Sequence, residues 1–127
     1  MTYDFERFTQ IGRTHRPRVS ITKQGLISLN RGCWQRYDIG SYDHVVLLWD
    51  RQRQAIGIML THDPDEEGAI RLRQRNQGAD ISARGFLEFC EIPYGEETQR
   101  YDPTLVTEDG HKIIVVNLQR TSPGSQK

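Results

Sequence analysis

Apolar and polar residues alternate along this chain in short runs, and most runs are too short for a helix of ordinary length. Val19 and Ile21 alternate with Arg18, Ser20 and Thr22, the two-residue period of a strand with one buried face. Lys23-Gln24-Gly25 predicts a tight turn with glycine where a positive φ would be needed, and residues 26–29 (LISL) the returning strand. Asn30 is a suitable N-cap for a short helix over 31–37, which would put Cys33, Trp34 and Tyr37 on one face and stop at Gly40 and Ser41. Residues 45–49 and 55–60 read as two strands joined by a polar turn at 50–54. The predicted order is hairpin, short helix, hairpin.

The same order returns further along. Residues 61–68 (THDPDEEG) have the composition of a linker. Beyond them Ile70 and Leu72 alternate with Arg71, Arg73 and Arg75, and Asn76-Gln77-Gly78 predicts the next turn. A short strand over 79–81, Ser82 as N-cap and a helix over 83–89 burying Phe86, Leu87 and Cys90 follow. After a polar passage to Pro103, residues 105–106 and 113–118 predict the last hairpin around Glu108-Asp109-Gly110. Laid without a gap over residues 71–92, residues 18–39 give six identities: Arg18/Arg71, Gln24/Gln77, Gly25/Gly78, Arg31/Arg84, Gly32/Gly85 and Ile39/Ile92. The overlay also sets Ile27 and Leu29 against Asp80 and Ser82, one residue out of phase. A one-residue deletion or a bulge before the helix would restore it. The expected organisation is one domain over 1–127, with repeat units 18–60 and 69–118, a linker at 61–68 and a flexible tail at 119–127. A lead-in over 1–16 carries Phe5, Phe8 and Ile11 as anchors.

Length permits one ordinary core, or two half-sized units sharing one. No run of about 18 apolar residues predicts a membrane span, and MTYDFERF lacks the basic-then-apolar order of a secretory signal. Two cysteines make no disulfide framework, so a cytoplasmic protein with reduced thiols is expected. Net charge is zero but divided: residues 1–60 hold nine Lys/Arg against five Asp/Glu, and residues 61–127 hold eight against twelve. A basic half fits a nucleic-acid surface, and equally a solvated face that pairs with the acidic half of the same chain or of a partner subunit.

Hairpin, helix and hairpin, with the first hairpin ending in ISLN before its helix, resembles the AbrB, MazE and SpoVT group of swapped-hairpin proteins. Two units in one chain resemble the tandem MraZ arrangement. The chain is also similar to short bacterial proteins that combine an ISLN hairpin, a DRxxxxIGI hairpin and an ISARGFL helix, a likeness that implies no activity. The AbrB resemblance implies a mainly β (α+β) fold in which the two units form a pseudo-twofold β-barrel, and a DNA-binding function. It departs from the group's pattern in that Gly25 is followed by Leu26 and neither helix begins after a proline. Pairing of units is physically reasonable, since a unit of roughly 45 residues buries too little surface alone.

Arginine carries the candidate chemistry. On one extended strand Arg71, Arg73 and Arg75 would share a face at roughly 6.6 Å spacing, near the phosphate repeat of a nucleic-acid strand. Arg18 holds the corresponding place in the first unit and Lys23 its turn, so Arg18, Lys23, Arg71, Arg73 and Arg75 are the expected phosphate contacts. The alternative for these arginines is a charged edge or pairing with Asp63, Asp65, Glu66 and Glu67. Trp34, Trp49, Phe86 and Phe89 have core spacing. The histidines His15, His44, His62 and His111 are scattered, Cys33 and Cys90 lie on apolar helical faces, and no phosphate loop or nucleophile elbow is present. No catalytic residue, metal site or cofactor is therefore expected. The expected function is a non-enzymatic nucleic-acid-binding protein, binding DNA or RNA, of the transcriptional-regulator kind. The alternatives are an assembly module, with a homodimer as its simplest form, or a single-strand binder resembling the Whirly or positive-cofactor type.

Overall fold

The structure, a computed structural model, describes residues 2–5 and 16–119. Phe8 and Ile11 of the expected lead-in, and residues 120–127 of the expected tail, lie outside the described residues. Tyr3 and Phe5 are exposed, with stacked rings 5.3 Å apart.

The alternating segments form the expected hairpins. The first unit gives β1 (Val19–Ile21), β2 (Leu26–Leu29), α1 (Arg31–Arg36), β3 (His44–Asp50) and β4 (Ala55–Thr61). The second gives β5 (Ala69–Arg71), β6 (Arg73–Arg75), β7 (Gly78–Ser82), α2 (Arg84–Phe89), β8 (Gln99–Tyr101), β9 (Thr104–Glu108) and β10 (His111–Asn117). Two five-stranded antiparallel sheets result, in the orders β6-β7-β2-β1-β8 and β5-β3-β4-β10-β9. The first is called sheet A and the second sheet B. The fold is mainly β with short helices. Each sheet keeps two open edges, β6 and β8 in A and β5 and β9 in B, so the barrel expected from the family resemblance is not a closed one.

Each strand order is nearly palindromic. In sheet A the hairpins β6-β7 and β1-β2 meet through β7 and β2, centred on the Ser28–Asp80 pair. In sheet B the hairpins β3-β4 and β9-β10 meet through β4 and β10, where Ile58 faces Ile114. Both isoleucines are fully buried.

The phase error of the gapless overlay is resolved in the turns. Thr22 N–H donates to Leu26 O at 2.9 Å across the three residues of the first turn, and Gly25 sits there at φ +86°. The second hairpin closes Arg75 on Gly78 across only Asn76 and Gln77. That one-residue shortening returns Ala79 and Ile81 to the interior, opposite Leu29 and Ile27. Gln77, and not Gly78, takes the left-handed conformation, at φ +57°. The lost residue is recovered before α2, so Ala83 instead of Ser82 stands at the helix N-terminus, and no side chain caps it. Asn30 does cap α1, accepting Cys33 N–H at 3.0 Å. Asp38 in the left-handed region ends that helix before a 3-10 turn over Ile39–Ser41, so Gly40 and Ser41 are not its stop.

Inward residues of both sheets share one core. Val19, Ile21, Ile27, Leu29 and Ile81 of sheet A are packed with Val45, Ile56, Ile58, Leu60, Ile114 and Val116 of sheet B. Leu87 and Cys33 add the two helices to it. Trp34, Trp49 and Phe86 pack against this core as expected, but Phe89 does not: it is 70% exposed, because the single buried face of α2 is taken by Leu87.

Candidate nucleic-acid interface

With Val19, Ile21, Ile27 and Leu29 turned inward, the alternate residues of sheet A face outward. Strand register then sets one outward row across all five strands: Arg73 opposite Asp80, Asp80 opposite Ser28, Ser28 opposite Ser20, and Ser20 opposite Arg100. With strands about 4.8 Å apart, Arg73 and Arg100 stand roughly 19 Å apart at its two ends. Arg75 lies one outward position along from Arg73. Arg18 precedes β1, with its N–H donated to Asn30 Oδ1 at 3.0 Å.

The expected arginine comb is broken. At Leu72 the chain leaves sheet B for sheet A: Leu72 is buried and its N–H donates to Asp43 O at 2.8 Å. Arg71 is therefore an edge residue of sheet B, opposite His44, while Arg73 and Arg75 lie on the edge of sheet A. A single uninterrupted strand was the wrong reading because a buried leucine between two arginines looks the same in sequence whether or not the strand changes sheets. Lys23 is exposed in the first turn, at the opposite end of sheet A from the Asn76-Gln77 turn.

Charge on the face is uneven. Arg75 Nε pairs with Asp80 Oδ2 at 2.9 Å, and its Nη2 donates to Ser28 Oγ at 3.1 Å. Among the described residues no carboxylate is within ion-pairing distance of Arg18, Lys23, Arg71 or Arg73, and the acids of 63–67 pair with none of them. Arg18 Nε is buried without a hydrogen-bond partner among the described residues. Arg100, whose sequence context marked it only as part of a polar passage, joins the face because β8 pairs with β1; the sequence does not show it, since the three residues QRY alternate too briefly to read as a strand. No aromatic side chain belongs to the outward row.

The outward face of sheet B has the opposite character. Ala69, Val46, Met59, Ile113 and Val106 form its central row across five strands; Val46 and Ile113 are buried within the chain, and Leu48 and Val106 are exposed. Both thiols are buried, and burial pushes the Cys33 thiol up to about 11 against the smaller opposing effect of its bonds with the Arg18 and Asn30 backbone. Among the described residues no group of three or more His, Cys, Asp or Glu side chains is placed to hold a metal ion, and no helix is long and apolar enough to cross a membrane.

No family model matches the chain, and neither a curated protein nor a solved structure matches it.

Proposed function

We propose that this chain is a non-enzymatic nucleic-acid-binding protein, built from two tandem hairpin–helix–hairpin units of the AbrB kind related by an approximate twofold, and acting as a regulator on duplex DNA. The near-palindromic strand orders support the paired-unit reading. The observation that carries the function is the outward row of sheet A, where Arg73 and Arg100 flank two serines and Arg18 and Arg75 lie on the same side. Guanidinium groups suit phosphate oxygens, and serine hydroxyls add donors between them. A span of roughly 19 Å exceeds the ~12 Å major groove, so the ends of the row reach phosphates on both sides of it. The lack of aromatics in this row weighs against a single-strand binder, which draws on base stacking. Fluorescence polarisation with a mixed-sequence duplex, titrated across salt concentration, tests the reading. Binding that weakens steeply with salt is expected, and no binding at low salt ends it.

The apolar outward face of sheet B favours a second reading, an assembly module whose partner is another copy of this chain. Two such faces brought together by a twofold oppose apolar rows, with the charged residues Arg71, Asp50 and Glu108 at the ends. Sedimentation at low and high salt separates this from association between basic and acidic halves: an apolar dimer persists as salt rises, and Leu48→Asp disrupts it.

A further inference from the structure

A cavity of about 500 Å³ opens where the edge of sheet A meets the end of sheet B. It is bounded by the segment between α2 and β8, by β8 itself, by Gln54 of the β3–β4 turn and by Leu118 after β10. Leu118 N–H donates to Gln54 O at 2.9 Å, which fixes the sheet B side of the wall. Ile92 and Leu118 give it an apolar wall and Glu91, Glu96 and Glu97 an acidic rim, with no lysine, arginine or histidine among the lining residues. Its volume falls in the range of small-ligand sites.

Tyr101 distinguishes this cavity from a chance gathering of surface acids. It is 6% exposed and lines the cavity, yet its hydroxyl makes no hydrogen bond among the described residues. The hydroxyl is not sealed from solvent, and Tyr101 is one of the residues that line the cavity. Burial alone raises its ionisation above the ordinary phenol value, with no neighbouring carboxylate or bond contributing. The hydroxyl has no partner within the described residues, and a ligand N–H would give it one. Glu97 is already oriented by Gln99, whose Nε2 donates to Glu97 Oε2 at 2.9 Å.

We infer that this cavity binds an organic cation, an ammonium or guanidinium group on an apolar stem. The stem lies against Ile92 and Leu118, the cationic head meets the carboxylates of Glu91, Glu96 and Glu97, and one of its N–H groups is accepted by the Tyr101 hydroxyl. A free amine and a basic peptide side chain present the same chemistry. The site is separate from the arginine face and does not depend on its role.

The molecule carries its own control. The β3–β4 and β9–β10 hairpins are joined through the Ile58–Ile114 pair, so Gln54 corresponds in register to Gly110 and Leu118 to His62. Gly110 and His62 line a second cavity, of about 450 Å³. There Lys112 stands among Asp63 and Glu66, so a cation meets positive charge as well as negative.

Two-dimensional NMR of the full chain at low ionic strength, titrated with agmatine, with a capped Ala-Arg-Ala peptide and with hexanol, tests the assignment. Saturable shifts in residues 91–101 and at Gln54 and Leu118 are expected with the cations and not with hexanol, while Tyr42, His62 and Lys112 stay still. Tighter binding of agmatine assigns the site to a free amine, and tighter binding of the peptide to a basic side chain. Tyr101→Phe should weaken binding about tenfold, and Glu96→Gln and Glu97→Gln about two- to fivefold each. Spectral dispersion reports whether Tyr101→Phe is folded, and the two exposed glutamates keep the test valid if it is not. The proposal is overturned by no saturable shift with either cation up to about 10 mM, by equal shifts with hexanol, or by glutamine variants that bind as the parent does.

Discussion

Asp80 faces Ser28 across the junction of β7 and β2, and the guanidinium of Arg75 holds both, at 2.9 Å and 3.1 Å. This three-residue contact sits at the centre of sheet A, on its outward side. Gly78 makes room for it: a Cβ there would lie 3.3 Å from Arg75 Nη2 and 3.1 Å from Leu29 O. The glycine serves a close approach and not a positive φ, which the turn assigns to Gln77. One arginine of the face is thus committed internally, and Asp80 is the residue that commits it.

Asp80→Asn should therefore strengthen duplex binding. The change removes a negative charge from the middle of the face and loosens Arg75 toward solvent. Affinity at low salt is expected to rise about three- to tenfold, with a salt dependence steeper by up to about one phosphate contact. Folding stability should fall by less than about 1 kcal/mol, since the Arg75 side chain is 49% exposed and such pairs contribute little. Polarisation titrations and urea melts read the two effects separately. Weaker duplex binding by this variant would count against the face.

Arg73 and Arg18 should matter more than Arg71 and Lys23, although all four look equivalent in the sequence. Arg73→Ala and Arg18→Ala each remove one guanidinium from the outward side of sheet A, and each should reduce the slope of log affinity against log salt by about 0.9. Arg71→Ala acts on the edge of the other sheet and Lys23→Ala on a turn, so smaller changes are expected. Equal losses from all four would restore the single uninterrupted comb.

Period and turn chemistry made most of the fold legible. Val19/Ile21, residues 45–49 and 55–60 alternate or run apolar strongly enough to name strands, and they are punctuated by the capping side chain of Asn30 and by Gly25, whose lack of a side chain permits a positive φ. What stayed hidden depends on contacts distant in sequence. The change of sheet at Leu72 is set by a bond to Asp43, twenty-nine residues earlier. β8 exists because Val19 and Ile21 offer a free edge to residues 99–101. Phe89 was expected inside because its spacing is that of a core residue, yet the six residues of α2 bury one residue, Leu87. The candidate interface was legible in residue type and only partly in position. Arginine content marks the charge, but strand order decides which arginines share a face.

Gly40 tests how the 3-10 turn is held. A Cβ at Gly40 would meet Trp34 Cζ2 at 2.9 Å, closer than packed carbon atoms come. The indole is fixed from the other side, because Trp34 Nε1–H donates to Gln74 Oε1 at 2.9 Å while Gln74 Nε2 donates to Ile39 O and Tyr42 O, each at 3.0 Å. Gly40→Ala should displace the ring and break this bridge between the turn and β6, at a cost of about 1–3 kcal/mol. A urea melt measures the loss, and tryptophan emission should shift as the indole is moved. Unchanged stability and emission would mean that the turn yields without strain.

Cys33 predicts how stability responds to alkali. Its thiol is fully buried, with Sγ–H donated to Arg18 O at 3.4 Å, and burial raises its ionisation from 9.0 to about 11. Below about pH 9 the thiol is protonated in folded and unfolded chains alike, and its contribution is complete. Above that the unfolded chain loses the proton first, so the folded state binds more protons and stability falls with rising pH through about 11. A difference of two pH units corresponds to about 3 kcal/mol in full. Tyr37, Tyr101 and Cys90 are also raised by burial, so the test is a comparison of slopes. Denaturation midpoints of the parent chain should drop more steeply between pH 9 and 11 than those of Cys33→Ala, whatever the variant loses at neutral pH. Parallel slopes would show that Cys33 ionises in the folded chain as easily as in the unfolded one.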